Sequence, residues 1–597
     1  MVAQGWVPKI QNDSLKLEPV GPESDSKEDR KNRVRNGHLV ERDAQLAEPA
    51  VLQFIANMEQ KRLTKGGWHS IFSLMRDGVK LGAALSEAAA IDDEYQRDES
   101  LANIIQPYIQ FFDSEDYCEK TGLRLMDIWR YFRHTWTTAY RSVPGRNFPI
   151  LIRDAAAENH PVIGIAALGS SVVQSDVRDE WIGWKTDKII ERIKAKPSKR
   201  YAKWLGSNID SMIAGIYIDD LLEQGVLHLV DIEYPTDKIL LRLAEIARTE
   251  REKHQRFPDA ARHKFADMTD AAVCEEKARS YLFRHKRCAL LAELLLARRL
   301  FREYGLDNPT SGKLRKAVNA QDFLKSLRRV IRRIRSEKVG ISMMDIIVCG
   351  SAAPYNEILG GKLVSMMLAS PEISDYYRQK YESQVSIIAS SMAGRPIIRD
   401  PTLVFLGTTS LYDVNASQYN RIKIPADQIG GAKSKSIIYA RIGRSKGYGS
   451  FHFSKATITL AETLTARHGN GRKVNSIFGE GVNPLMRKVR DALSIIALPH
   501  DRIVKHGNRR FVYGVSLVSN VCDFLIGLDK KPKYLFTQKN PQITTQRISA
   551  YWRRRWLSMR IQNRDVLKRL NKHTLAYPIS HGARVQPPKR SDDLFSD

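Results

Sequence analysis

Arg328, Arg329, Arg332, Arg333 and Arg335 follow one another closely in this chain, beside an apolar stripe of Phe323, Leu324, Leu327, Val330, Ile331 and Ile334. Guanidiniums this dense on one helical face repel each other unless anions sit among them, and the planar fork of arginine matches phosphate oxygens. A second set, Arg553, Arg554, Arg555, Arg560 and Arg564 with Lys568 and Arg569, lies along a segment predicted as one helix from Thr545 to Leu570. Its apolar stripe is Ile548, Trp552, Trp556, Met559 and Leu570, which places the two tryptophans in the core rather than under bases. One such helix alone reads as a solvated basic face. Two of them, in a chain of net charge +28, favour contact with phosphate backbone, which positions nucleic acid without reading its sequence.

Other chemistry is sparse. The best acids are Asp179 with Glu180, Glu357 and Glu480, and nothing in the sequence brings them together as a divalent-ion site would require. Glu480, between Gly479 and Gly481, is the most site-like; capping a helix near Asn483-Pro484 is the alternative. The histidines form no HxH or HExxH pattern, so no metal site is expected. Gly360-Gly361-Lys362 is followed by Leu363, which cannot hold magnesium, so it is no nucleotide-binding loop. Ser450-Phe451-His452 lacks the GxSxG elbow of a hydrolase, while Tyr448, between two glycines, is exposed enough to touch a ligand or base. Cys118, Cys274, Cys288, Cys349 and Cys522 are scattered, which fits a reducing compartment.

The elements that must position these residues divide the chain. Residues 1–48 read as a polar lead-in and 49–143 as a helical region, with Ile71, Leu74, Leu81 and Leu85 on one face and Gly78 weakening that helix. Another helix carries Ile128, Trp129, Phe132 and Trp136. A buried strand is predicted over Pro161–Leu168, then helices over 187–338, including a long one from Cys274 to Tyr304 closed by Gly305. Strands follow at Met344–Cys349, Leu403–Leu406 and Ile437–Ile442, with helices opening near Gly360-Gly361 and at Ser370-Pro371. This order predicts an α/β core over 144–455 with a helical insertion, and a basic α+β region over 456–597 with a strand at Phe511–Val518. No apolar run approaches a bilayer span and no signal pattern opens the chain, so the expectation is a cytoplasmic protein without membrane contact.

Several segments are unusual together: Arg178–Trp184 (RDEWIGW), Cys349–Leu363 (CGSAAPYNEILGGKL), Thr408–Tyr412 leading to Ser417–Arg421, Lys446–Ser454, Val474–Pro484 and Lys505–Gly507. Over about residues 145 to 530 they resemble the DruA family of Druantia anti-phage proteins, in its longer form. The resemblance implies a part in bacterial defence against phage and supplies no catalytic residue. The order of strand, Gly360-Gly361 helix start, strand and Tyr segment is also similar to the GNAT acyltransferase fold. That likeness implies a pyrophosphate cradle at Gly360 and Gly361 and a general-acid tyrosine at Tyr412 or Tyr419, against which stand Glu357 and the missing Arg/Gln-x-x-Gly-x-Gly/Ala spacing. The cofactor is left unassigned, and adjacent glycines serve close helix packing equally well.

The expected function is therefore binding or sensing of nucleic acid, DNA ahead of RNA, beside other defence proteins that include a helicase-like neighbour. A GNAT-like modifying enzyme and a protein-interaction scaffold are the alternatives, and whether any bond is made or broken stays open.

Overall fold

The computed structural model describes residues 7–11, 14–18, 35, 38–39, 42–64, 67–136, 138–139, 145–172, 174–257, 267–411, 417–445, 455–468, 484–497 and 510–573. Its centre is a mixed seven-stranded sheet. The strands are β1 (Pro107–Phe111), β2 (Asn147–Asp154), β3 (Val162–Ser170), β4 (Met343–Ser351), β5 (Phe405–Thr409), β6 (Ala440–Arg444) and β7 (Phe511–Ser516). In space they run β6-β7-β5-β4-β3-β2-β1, and only β4 and β5 are parallel. The apolar run predicted as a strand is β3, buried through Gly169 because it has neighbours on both edges and helices on both faces.

The parallel pair holds only over Met343–Asp345 against Phe405–Gly407. Beyond it the strands part, Thr408 Oγ1 donating to the Ile346 carbonyl at 3.1 Å and Gln418 Nε2 to the Cys349 carbonyl at 2.8 Å. On its other edge β4 carries a bulge at Ile347, opposite Ala167 and Leu168. The strand expected over 437–442 is two: Ser436–Ile438 pairs with Lys423–Pro425 in a separate ribbon, and the chain turns at buried Tyr439 to begin β6.

Along the chain, α1 (Pro49–Glu59) is followed by a short 3-10 turn, Ile71–Leu74, and then α2 (Gly78–Ala89). The single helix expected through Gly78 is broken because Asp77 Oδ1 accepts from the amides of Val79, at 2.8 Å, and Lys80, capping a new start. Next come α3 (Glu94–Ile104) and α4 (Leu125–His134); Trp136 lies past the end of α4. From α5 (Asp176–Ile182) and α6 (Thr186–Ala195) through α7 (Asp237–Arg256), α8 (Tyr281–Glu303) and α9 (Gln321–Ser342), every regular element among the described residues is a helix. The long helix expected from Cys274 is interrupted at Ser280, and its end is sealed by Gly305 at φ +65°, whose amide donates to Arg302. Then follow α10 (Gly360–Met367), α11 (Pro371–Tyr381), the pair α12 (Lys455–His468) and α13 (Pro484–Ile495), α14 (Pro541–Trp552) and α15 (Arg564–Asn571).

One face of the sheet buries α2, α10, α11, α14 and α15 against Phe148, Ile150, Met344, Leu406 and Val515. The other face is shared. There α1 and α4 cover Leu151, Ile165 and Val348, while the helices of 186–342 meet Met343, Val404 and Phe405. No helix among the described residues is long and apolar enough to cross a membrane.

Candidate functional site

In α9 the predicted stripe Phe323, Leu324, Leu327, Val330, Ile331 and Ile334 is buried, so the arginines must leave by the other faces. They leave in two rows. Arg328 and Arg335 turn toward α6, Arg328 Nε lying 3.2 Å from Asp187 Oδ1 and Arg335 donating to Thr186 Oγ1 and to the Asp179 carboxylate. Arg333 reaches Glu293 on α8 at 3.5 Å, and Arg329 lines the groove between α7 and α8. Arg332 is exposed. Among the described residues no carboxylate lies within ion-pair distance of Arg329 or Arg332. The Arg328 pair is open to solvent and the Arg333 pair partly so, and each contributes at most about 1 kcal/mol. Four cations therefore stay available on the outside of one helix. Arg335 is not one of them: it is largely buried over the Trp184 ring, 5.0 Å from its centre, and burial pulls its pKa down despite Asp179.

Asp179 is the hub of the RDEWIGW segment. It accepts from Arg178 Nε at 3.0 Å, from Trp184 Nε1 at 2.9 Å and from Arg335, tying α5 and the start of α6 to α9. Gly183, at φ +78°, allows the chain to fold Trp184 back onto that carboxylate. Glu180 points elsewhere, to Lys185 at 2.9 Å. The acid pair read from the sequence thus separates into an interior hinge pin and a surface ion pair.

The second set departs further from expectation. α14 continues through a π-helical turn, Arg553–Leu557, and Ser558–Arg560, and stops before α15. The buried stripe is Ile548, Trp552, Leu557, Ile561, Val566 and Leu570. The extra residue in the π turn moves Leu557 inward in place of Trp556, and Met559, predicted as core, is 70% exposed. Trp556 is half-buried, with Lys362 Nζ 4.4 Å and the Arg555 guanidinium 4.8 Å from its ring centre. Arg553 binds Asp98 at 2.6 Å and Arg554 approaches the same carboxylate at 3.5 Å. Arg560 donates to the Glu357 carbonyl and Arg569 binds the Glu357 carboxylate at 2.6 Å. Arg555 and Arg564 remain exposed without a carboxylate at ion-pair distance among the described residues. This set lies on the Leu406 face of the sheet and the α9 set on the Phe405 side, so the two do not form one surface.

The glycines at the start of α10 are in close contact. The Gly360 amide already donates to the Tyr355 carbonyl at 2.8 Å. A methyl on Gly360 would collide with that carbonyl and Ser351, and one on Gly361 with the Gln418 amide. They let α10 close on β4. Lys362 beside them donates to the carbonyls of Gln418 and Asn420, and burial, with Arg421 adding, lowers its pKa to about 8. Tyr419 stacks on Tyr439 inside the core, its hydroxyl 3.3 Å from Thr408 Oγ1. Burial drives the Tyr419 pKa further up, the wrong direction for an acid near neutral pH. Tyr412, Tyr448 and Glu480 lie outside the described residues.

Asp345 was not singled out from the sequence, although a lone acid in the apolar run Met343–Cys349 was a visible anomaly. It sits on the central strand β4, facing the α9 side, where Ser171 Oγ donates to Oδ1 at 2.8 Å. Among the described residues no cation lies within ion-pair distance; Arg178 is the nearby charge. Burial raises its pKa, offset in part by Ser171 and Arg178. Asp154, also in the sheet, is by contrast fully enclosed, accepting from Tyr355 Oη at 2.7 Å and the Gln106 amide at 2.9 Å.

The family model described as "DruA: Druantia protein DruA" matches residues 95–196 and 330–527, about half of the chain. The match takes in all seven strands, the Asp179 hub, α10 and Asp345, and leaves out 197–329 and everything after 527. A curated relative, "Druantia protein DruA" of Escherichia coli (strain UMEA 4076-1), is 28% identical over 185 residues, 31% of this chain and 42% of that protein. No solved structure matches.

Proposed function

Since the chain belongs to the DruA family, we propose that it is a component of a bacterial anti-phage system of the Druantia type and that it holds nucleic acid against the outer face of α9. One observation carries the reading. Arg329 and Arg332 lack a carboxylate partner among the described residues, and Arg328 and Arg333 beside them have one partner each, exposed Asp187 and half-buried Glu293. With net charge +28 behind them, phosphates are the ligands that relieve their mutual repulsion. Contacts of this kind fix a backbone in place, which suits a subunit that presents nucleic acid, DNA ahead of RNA, to partner proteins such as a helicase-like neighbour.

The test is equilibrium binding of labelled duplex and single-stranded DNA and RNA to the full chain over a salt series. Affinity should fall steeply and log-linearly with salt. Absence of binding at low salt would remove the nucleic-acid part of the proposal and leave the family assignment standing.

A further inference from the structure

The helices α7 and α8 pack side by side in the 186–342 bundle. Asp237 at the start of α7 binds Arg299 near the end of α8 at 2.9 Å, and the Ala247 carbonyl lies 2.7 Å from His285 Nδ1, so the two run antiparallel. Between them lies a groove open to solvent, with Leu240, Leu241, Ala244, Ala289, Ala292 and Leu296 along it. From Asp237 to Arg251 it follows four turns of α7, about 21 Å at the rise of an α-helix. Leu241, Ala244, Arg248 and Arg251 recur at spacings of three and four, one face of α7. A stripe that begins with leucine and alanine ordinarily meets another element. Here Leu241 is 71% exposed, and the alanines of both helices leave room beside it for large side chains from outside.

The charge along the groove has one sign. Its two carboxylates are engaged, Asp237 by Arg299 and Glu293 by Arg333. Arg248 and Arg251 are exposed, and among the described residues no carboxylate lies within ion-pair distance of either.

We propose that this groove seats an amphipathic helix of a partner protein, with large aliphatic side chains on one face and Asp or Glu along its flanks. The aliphatic side chains would enter between α7 and α8 over the alanines, at the i, i+3, i+7 spacing of a helix laid in a groove. The acidic flank would meet Arg248 and Arg251. Nucleic acid fits less well, because phosphate neutralises the arginines but leaves the leucines and alanines in water. A second copy offering the same face would bring like charges together. Both helices belong to 197–329, which the family model leaves out, so the partner is met by the insertion and not by the matched core.

The probe is a labelled synthetic helix of about 20 residues with leucine at every third or fourth position and glutamate on its flanks. A control peptide keeps every glutamate and replaces leucine by alanine. Fluorescence anisotropy with the full chain at about 0.15 M salt, where loosely held charge is screened, should show the leucine peptide binding roughly tenfold more tightly or better, the scale of one buried anchor. Ala292→Phe fills the groove without changing charge and should cost a similar factor. Arg248→Gln with Arg251→Gln should weaken the leucine peptide, whereas the same loss of charge at Arg315 and Lys316, exposed on another helix, should not. Should Ala292→Phe fail to fold, the Arg248 and Arg251 variant against its charge-matched control decides alone. Equal affinity for the two peptides, no binding of either, or equal weakening by both double variants overturns the proposal. So does a dimer in sedimentation velocity that Ala292→Phe disperses, since a second copy would then fill the groove.

Discussion

Replacing Arg329 and Arg332 together by Gln separates cations that face solvent from cations that hold the fold. Each phosphate neutralised on duplex DNA contributes about −0.9 to the slope of log K against log salt. Four outward arginines (Arg328, Arg329, Arg332 and Arg333) thus give a slope near −3.6, a loss of roughly 150-fold in affinity between about 50 and about 200 mM salt. Without Arg329 and Arg332 the slope should shrink to about −1.8 and the loss to roughly twelvefold. Both residues are accessible and have no carboxylate partner among the described residues, so thermal unfolding should shift by no more than about 0.5 kcal/mol. Arg335→Gln is the internal control. It leaves Asp179 without one of its donors in the interior, which should destabilise by about 3 kcal/mol or more while the salt slope stays unchanged. The assay is fluorescence anisotropy on a fixed duplex, with circular dichroism melts of every variant. An unchanged slope in the double variant would refute the assignment of α9, and a changed slope in Arg335→Gln would refute the separation of the buried Arg335 from the four outward arginines.

Gly361→Ala must push a methyl into the Gln418 amide, which bridges to β4, and should lower stability by about 1–3 kcal/mol in a denaturant titration. A double-mutant cycle of Asp98→Asn and Arg553→Gln should return a coupling of about 1 kcal/mol or more, since that pair is only partly exposed and closely bonded. Asp345 binds its proton more tightly folded than unfolded, so its contribution to stability is present below the ordinary value of 3.8 and is lost as pH rises through the elevated folded value. Melts across acid to neutral pH should show that fall in wild type and a flatter profile in Asp345→Asn, which should also melt higher at neutral pH.

Where local chemistry governs, residues and structure agree. The α9 stripe, the start of a helix at Pro371 and the seal at Gly305 are all set by contacts within a turn or two of the chain, which the sequence displays directly. The failures have a common origin. The stripe through Trp552 keeps helical period up to the π turn, where one added residue rotates everything after it, so Trp556 and Met559 lose the interior to Leu557 and Ile561. Nothing in the residue types marks that insertion, because it answers to the surfaces packed around it.

Composition and spacing determined that this chain is an α/β protein with an excess of cations gathered on two amphipathic helices. Which of those cations are free was decided only by the packed layers. Arg335 meets Asp179 across 156 positions and Arg553 meets Asp98 across 455, pairings made when helices far apart in sequence settle side by side on the same face of the sheet. Charge is a property of a residue. Its neutralisation is a property of what lies within a few ångströms, and that distance exists only after folding.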